Sequence, residues 1–231
     1  MDMKKILPPE SAAATIFNRF AAEIGNGGLA EETRRVCILA ALAVCGGQAA
    51  FRAELCDALD GGLSPAAAHE TVLQAAAYLG YGRALPFLQI LYEEFSARGI
   101  PVPVATEESA EERTARGERA QVEIFGEQMK GFASSGDELS REINRFLSEN
   151  CFGDYYVRAG LDYAQREAVT FCLLAAQGGC EPQLTSHAAA NLRIGNDAQT
   201  LKALVLQMLP YIGYPRSLNA LACVRKACGE K

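Results

Sequence analysis

The stretches YLGYGRAL at residues 78–85 and YIGYPRSL at residues 211–218 decide the fold of this 231-residue chain. They carry Tyr, Gly, Tyr, Arg and Leu at the same five positions, and they lie 133 residues apart. The same displacement aligns the rest of the two halves without a gap from Arg34 to Lys226. Further identities at this displacement are Val36/Val169, Ala43/Ala176, Gly46/Gly179, Val72/Val205 and Gln74/Gln207. Self-similarity at one fixed displacement indicates an internal repeat.

Both copies have the composition of helices, with glycines that break them and residues that cap them. They are rich in Ala and Leu, and glycines interrupt their apolar segments. Ser64 followed by Pro65 is typical of a helix start, and Asp162 with Gln165 has the spacing of a capping box. Alternating apolar and polar residues, the pattern of strands, are not found. The sequence therefore predicts an all-α protein made of two tandem helical repeats.

The order of the repeats predicts three parts of the chain. Residues 1–98 form the first repeat, residues 99–118 a linker, and residues 119–231 the second repeat. The linker opens with GIPVPV and continues as a charged stretch that becomes helical near its end. Helices are also predicted at about 116–132 and 137–149, with a turn over CFGDYYVRAG at 151–160.

Composition excludes several classes of function. A net charge of -6 without a basic stripe argues against nucleic-acid binding. The sequence has no run of 18 apolar residues, so we expect no membrane span. The first residues lack the apolar core of a signal peptide. The eight cysteines form no C-x-x-C pair, and there are two histidines, so we expect no metal and no other cofactor. Mostly unpaired thiols are typical of the reducing cytoplasm.

The segment EAVTFCLLAAQGGCEPQLTSH, residues 167–187, contains the candidate site. A helix that begins near Cys180 would place His187 two turns further along on the same side, with Gln183 between them as a polar lining residue. The preceding helix would pair with it as a hairpin and bring Glu167 towards both groups. The alternatives without function are a packed cysteine, a hydrogen-bonded core histidine, and a surface carboxylate paired with Arg166.

The difference between the repeats favours a site. At the 133-residue displacement, Glu167, Cys180 and His187 correspond to Arg34, Gly47 and Glu54. A duplication with a structural role alone gives no reason to collect three reactive side chains in one copy. The first repeat is therefore predicted to lack the site. The Tyr and Arg residues that recur in both copies are interpreted as a structural turn.

The same residues resemble a known family. Arg166-Glu167, the run Gly179 to Leu184, His187, and the stretch from Gln207 to Ala220 are similar to the pattern of the carboxymuconolactone decarboxylase family. The segment Phe152 to Asp162 is also typical of it, and the resemblance covers both repeats. It implies a helical fold like that of alkylhydroperoxidase D, and assembly as a homo-oligomer, with three tandem chains forming a trimer.

The resemblance also implies roles for the candidate residues. Glu167, Cys180 and His187 correspond to the Glu, first Cys and His of the thiol-dependent members. Gln183 occupies the position of their second Cys, so the disulfide of those enzymes cannot form here. An external thiol reductant, or Cys172, would have to reduce an oxidised Cys180.

The main prediction is a small-molecule enzyme with thiol peroxidase activity of the peroxiredoxin type. In it, His187 and Glu167 take the proton of Cys180, whose thiolate attacks a peroxide and becomes a sulfenic acid. The first alternative is a lactone decarboxylase in which His187 and Glu167 perform general acid–base chemistry and Cys180 only lines the pocket. The second is a non-catalytic binding or scaffold protein. A small-molecule substrate is expected as partner, and neither nucleic acid nor membrane is.

Overall fold

The computed structural model describes residues 1–104 and 108–229, and these residues contain helices and no strand. The predicted linker and second repeat include residues 105–107 and 230–231, which lie outside the described residues. The helices are α1 Ala12–Ile24, α2 Glu31–Cys45, α3 Gln48–Asp60, α4 Pro65–Leu79, α5 Tyr81–Ala97, α6 Ala110–Phe125, α7 Arg141–Phe146, the π-helix Leu147–Tyr156, α8 Tyr163–Gln177, α9 Glu181–Arg193 and α10 Ala198–Ala227. The predicted all-α fold of two tandem repeats is confirmed.

The repeat is visible in the helix bounds themselves. Helix α9 begins and ends 133 residues after α3. Helix α10 breaks at Gly213, whose φ of 77° matches the φ of 72° at Gly80 between α4 and α5. Only glycine adopts this left-handed backbone without strain, so the glycine of the repeated motif ends one helix and starts the next in both copies.

The core lies where α2 of the first repeat packs against α8 of the second. Every residue from 36 to 44 and from 166 to 176 is buried. Burial of each large aliphatic side chain contributes about 1.5–3 kcal/mol, which fixes the two central helices against each other. The buried run of α8 also contains Arg166, Glu167 and Thr170, and buried polar groups of this kind need hydrogen-bond partners.

The arginine of the repeated motif holds the ends of these central helices. In the first copy, Arg83 Nη2 donates to the Val44 carbonyl oxygen at 3.3 Å, near the end of α2. In the second copy, Arg216 lies beside Gly178, which ends α8. A cation at a helix C-terminus satisfies free carbonyl groups and opposes the helix dipole. These contacts support the interpretation of the recurring arginines as structural residues.

Helix α6 begins earlier than predicted. Ser109 accepts a hydrogen bond from the Glu112 backbone, and the Glu112 side chain accepts from the Ser109 backbone. This capping box starts the helix at Ala110, inside the segment interpreted as a linker. No helix of the described residues has the length and apolar character to cross a membrane.

The segment from 147 to 156 is a π-helix, so the prediction of a turn at the start of 151–160 is wrong. Glycines at 117 in α6 and at 153 in the π-helix let the two backbones touch. Arg113 on α6 bonds to Glu149 at 2.5 Å and to Asp154 at 2.8 Å, and Arg116 donates to the Gly153 carbonyl at 2.7 Å. A π-helix is rare and is often found at functional sites. Here its wider turn is held by contacts that come from α6, far from it in sequence.

Candidate active site

Glu167 lies at the centre of the candidate site, fully buried on α8. The Nδ1 atom of His187 lies 2.7 Å from its Oε2 atom. The hydroxyl of Tyr156 donates to its Oε1 atom at 2.8 Å. A carboxylate is tolerated in a protein interior only when it is paired and hydrogen-bonded. Both oxygens of Glu167 meet this condition, and both use groups from other elements.

Capping and one asparagine fix the register of the two helices that carry the pair. Asp162 and Gln165 form the predicted capping box that starts α8, which places Glu167 in its second turn. Asn191 Nδ2 donates to the main-chain carbonyl of Glu167 at 3.0 Å and to that of His187 at 2.8 Å. This side chain therefore ties α9 to α8 at the height of the pair.

The hydrogen bonds favour one arrangement of the protons, with Glu167 as the acceptor. An ionised carboxylate can only accept, so Glu167 accepts from Tyr156 and from Nδ1 of His187. In the neutral imidazole the proton is then on Nδ1 and the lone pair is on Nε2. The Nε2 atom has no hydrogen-bond partner among the described residues, and the side chain is 12% exposed. His187 can therefore exchange a proton with a bound molecule through Nε2.

Aromatic rings enclose the imidazole. The ring of Phe125 lies edge-on to it at a centroid distance of 5.3 Å, and that of Tyr78 at 5.9 Å. Phe125 also packs on Phe152, whose ring lies 4.4 Å from that of Tyr156. Apolar walls lower the local dielectric constant, which strengthens each hydrogen bond inside. The site thus combines a fixed carboxylate–imidazole pair with an apolar surround.

The site is built from both repeats. Tyr78 lies on α4 of the first repeat, and its hydroxyl is 2.8 Å from that of Tyr156. The interpretation of Tyr78 as a residue of a structural turn is therefore incomplete, because it also contacts His187. Since α4 packs against α8, this tyrosine reaches a site whose carboxylate and imidazole come from the second repeat.

The structure does not bring Cys180 into the pair. Its Sγ atom donates to the Leu174 carbonyl at 3.4 Å, and among the described contacts it makes no hydrogen bond to His187. The reason is local: α9 begins at Glu181, and Cys180 precedes it with φ −135° and ψ 39°. Burial, with Glu181 and Cys223 nearby, raises the pKa of the Cys180 thiol above its usual value. A raised pKa disfavours the thiolate that the thiol peroxidase prediction requires.

Gln183 and Cys172 lie in contrasting surroundings. Gln183 is exposed on α9, one turn before His187 and on the same face of the helix. Cys172 is fully buried in α8 beside Cys37, and burial raises its pKa well above the usual value. Full burial and a raised pKa oppose formation of a thiolate at Cys172, which disfavours the idea that Cys172 reduces Cys180.

The counterpart of the site in the first repeat contains ion pairs. Arg34 bonds to Glu31 at 2.7 Å, and Arg35 bonds to the buried Glu54 at 2.8 Å. No imidazole is present at these positions, as the alignment of the repeats predicts. A guanidinium keeps its proton at physiological pH, so Arg34 and Arg35 cannot exchange a proton with a substrate there.

The other histidine of the chain, His69, has a hydrogen-bond partner at each ring nitrogen. His69 is buried, with Nδ1 at 3.1 Å from Glu70 Oε1 and Nε2 at 3.3 Å from the Tyr92 hydroxyl. The Glu70 carboxylate also accepts from Arg158 and Arg166. Both nitrogens of His69 are thus occupied, whereas Nε2 of His187 is not. Arg166 pairs with Glu70 here, so the alternative in which it pairs with Glu167 is wrong.

Three residues of the site were not predicted from the sequence: Tyr156, Asn191 and Phe125. Asn191 had a signal, because it follows His187 by four residues and so continues the polar stripe of α9. Tyr156 lies in the family-like segment from Phe152 to Asp162, but a π-helix does not follow the 3.6-residue period that reveals helix faces, so its direction could not be predicted. Phe125 is the last residue of α6, and its position in the sequence gave no signal of its contact with His187.

Comparison with known proteins agrees with this architecture. The model of the family described as carboxymuconolactone decarboxylase family matches residues 10–93 and 141–226. The chain is also 29% identical to the 4-carboxymuconolactone decarboxylase of Acinetobacter baylyi over 112 residues, which are 48% of this chain and 83% of that protein. The two matched regions cover most of the chain and correspond to its two repeats. The chain belongs to the carboxymuconolactone decarboxylase family.

Proposed function

We propose that the chain is a small-molecule enzyme that performs general acid–base chemistry on a lactone carboxylic acid, with decarboxylation as the reaction. The observation that supports it is the bond between Glu167 and Nδ1 of His187, which leaves Nε2 without a hydrogen-bond partner among the described residues, beside apolar rings. A carboxylate that orients an imidazole and stabilises its charged form is a recurring device of acid–base catalysis. The named activity of the Acinetobacter relative agrees with this reaction class.

The proposed reaction assigns a role to each member of the pair. Loss of carbon dioxide breaks a carbon–carbon bond and leaves its electron pair on the lactone, where conjugation with the ring carbonyl spreads the charge. The carbon skeleton must then gain a proton. His187 first takes a proton from water at Nε2 and then donates it to the carbon skeleton, while Glu167 balances the charge of the intervening imidazolium. The apolar surround favours loss of the substrate's charged carboxylate as a neutral gas.

The direct test is turnover of 4-carboxymuconolactone by the purified protein, followed as loss of the lactone and release of carbon dioxide. Peroxide consumption with a dithiol reductant is measured in parallel. Lactone turnover without peroxide turnover is the expected result. Peroxide turnover with oxidation confined to Cys180 would support the thiol peroxidase prediction instead. Absence of both activities would favour a binding or scaffold protein.

Replacement of Cys180 by serine is expected to leave lactone turnover within about two-fold of the wild type, because side chains without shared contacts act independently. The thiol bonds to the Leu174 carbonyl and makes no hydrogen bond to His187 among the described contacts, and its raised pKa disfavours a nucleophilic thiolate. The measurement is kcat and KM of both proteins with the lactone. A loss of a hundred-fold or more would show that the chemistry uses Cys180 and would contradict the proposal.

The thiol peroxidase prediction has less support from the contacts than the acid–base reading. It requires a thiolate near His187, and burial of Cys180 opposes ionisation of the thiol. Assembly as a trimer stays a prediction of the family resemblance. A solution mass equal to that of one chain, measured by light scattering, would contradict it.

A further inference from the structure

The hydroxyl of Tyr156 has one proton and three oxygen neighbours. It lies 2.8 Å from Glu167 Oε1, 2.5 Å from Thr170 Oγ1 and 2.8 Å from the hydroxyl of Tyr78. The side chain is 1% exposed, so water does not compete for these bonds. A phenol donates once and accepts through its lone pairs. Since Glu167 needs a donor, Thr170 and Tyr78 must donate to Tyr156.

The direction of these bonds is set from further away. Arg166 Nη1 donates to Gln74 Oε1 at 2.9 Å, which orients the amide so that its nitrogen faces α8. Gln74 Nε2 then donates to Thr170 Oγ1 at 2.8 Å. The hydroxyl of Thr170, already an acceptor, is turned to donate to Tyr156. In this series of hydrogen bonds, which runs from Arg166 through Gln74, Thr170 and Tyr156, each donor thus points towards Glu167.

We propose that Tyr156 is a positioning residue: its hydroxyl keeps Glu167 in the orientation that holds the proton on Nδ1 of His187 and leaves Nε2 to the substrate. Its role in turnover rests on the proposed function, whereas its role in fixing the imidazole does not. Without this donor, Oε1 would be an unsatisfied acceptor in an apolar interior. The carboxylate would then turn to recover a bond, and the bond to His187 would weaken.

Two features support a positioning role over simple packing. Burial raises the pKa of Tyr156 well above its usual value, so the phenol remains a donor at every physiological pH. Its backbone belongs to the π-helix, whose close contact with α6 at Gly117 and Gly153 leaves little freedom to shift. The hydroxyl of the neighbouring Tyr155 donates instead to the hydroxyl of Tyr81 at 3.4 Å, so Tyr155 takes no part in the series of hydrogen bonds that ends at Glu167. It provides a matched control in the same helix.

The test is nitrogen NMR of histidine-labelled protein, in which the two imidazoles report separately. In the wild type we expect His187 with the proton on Nδ1 and a downfield signal from that hydrogen-bonded proton. In Tyr156→Phe we expect this signal to weaken or shift and the two neutral tautomers to mix. In Tyr155→Phe we expect His187 as in the wild type. The signals of His69 should be unchanged in all three proteins.

Kinetics provide the second readout. Loss of a group that orients a catalytic side chain costs about 10- to 100-fold in rate. We expect a loss of this size in kcat for Tyr156→Phe with KM nearly unchanged, and no such loss for Tyr155→Phe. Unchanged His187 signals together with full kcat in Tyr156→Phe would overturn the proposal. If Tyr156→Phe does not fold, Tyr78→Phe, which removes one donor to Tyr156, takes its place with a smaller shift expected.

The two readouts separate failure of this proposal from failure of the proposed function. If the wild type has no lactone activity, the NMR experiment still shows whether Tyr156 sets the tautomer of His187. If the wild type is active and Tyr156→Phe changes kcat without changing the His187 signals, the tyrosine acts in another way and the positioning role is wrong.

Discussion

Replacement of His187 by asparagine is expected to reduce lactone turnover by about 100- to 10,000-fold, the usual contribution of a general acid or base. Asparagine can still bond to Glu167, but it cannot carry a proton to and from the substrate. Nε2 of His187 is the ring nitrogen that has no hydrogen-bond partner among the described residues and can exchange a proton with the substrate. The measurement is kcat with saturating 4-carboxymuconolactone.

Glu167→Gln is the companion variant. An amide has the same shape, but it brings a donor into a site where Tyr156 and His187 both donate, so one bond must be lost. We expect a similar fall in kcat and a measurable loss of stability. Ser186→Ala, an exposed change beside His187 on α9, is the matched control and should be neutral. Full turnover by either His187→Asn or Glu167→Gln would place the chemistry outside this pair.

Replacement of Gly117 by alanine is expected to destabilise the protein by about 3 kcal/mol, the upper end of typical overpacking costs. A Cβ atom at this position would overlap the Ser148 carbonyl oxygen and lie 2.9 Å from the Gly153 nitrogen. Both atoms are backbone, so neither can rotate away. The π-helix would have to move off α6, and Tyr156 with it. The measurement is the midpoint of urea unfolding.

The matched control is Gly82→Ala in α5. A Cβ atom there would meet no atom within 4 Å, and the backbone is helical. We expect stability to stay unchanged or to rise by up to about 1 kcal/mol, as for glycine-to-alanine changes in helices. Equal midpoints for Gly117→Ala and the wild type would show that α6 and the π-helix are not in rigid contact. A folded Gly117→Ala protein should also lose turnover, because Tyr156 would be displaced from Glu167.

The errors of sequence reasoning have one physical origin. Helical spacing predicts which residues share a face of one helix, and Gln183 and His187 lie one turn apart within α9. It failed for Cys180, because a residue just before a helix does not follow the helical geometry. Helical spacing also could not predict the position of the Tyr156 side chain, because the π-helix depends on contacts with α6, which is another part of the chain. Spacing along a chain does not encode contacts between elements.

The sequence by itself determined the all-α fold, the tandem repeat with its 133-residue displacement, and the family. These properties follow from local signals, namely glycine breaks, helix caps and periodic apolar residues, which each copy repeats. The tertiary structure alone decided that Glu167 pairs with His187 and not with Arg166, that Cys180 is apart, and that Tyr78 and Tyr156 complete the site. Those contacts arise because polar side chains buried between packed helices must find partners across them, whatever their distance in sequence.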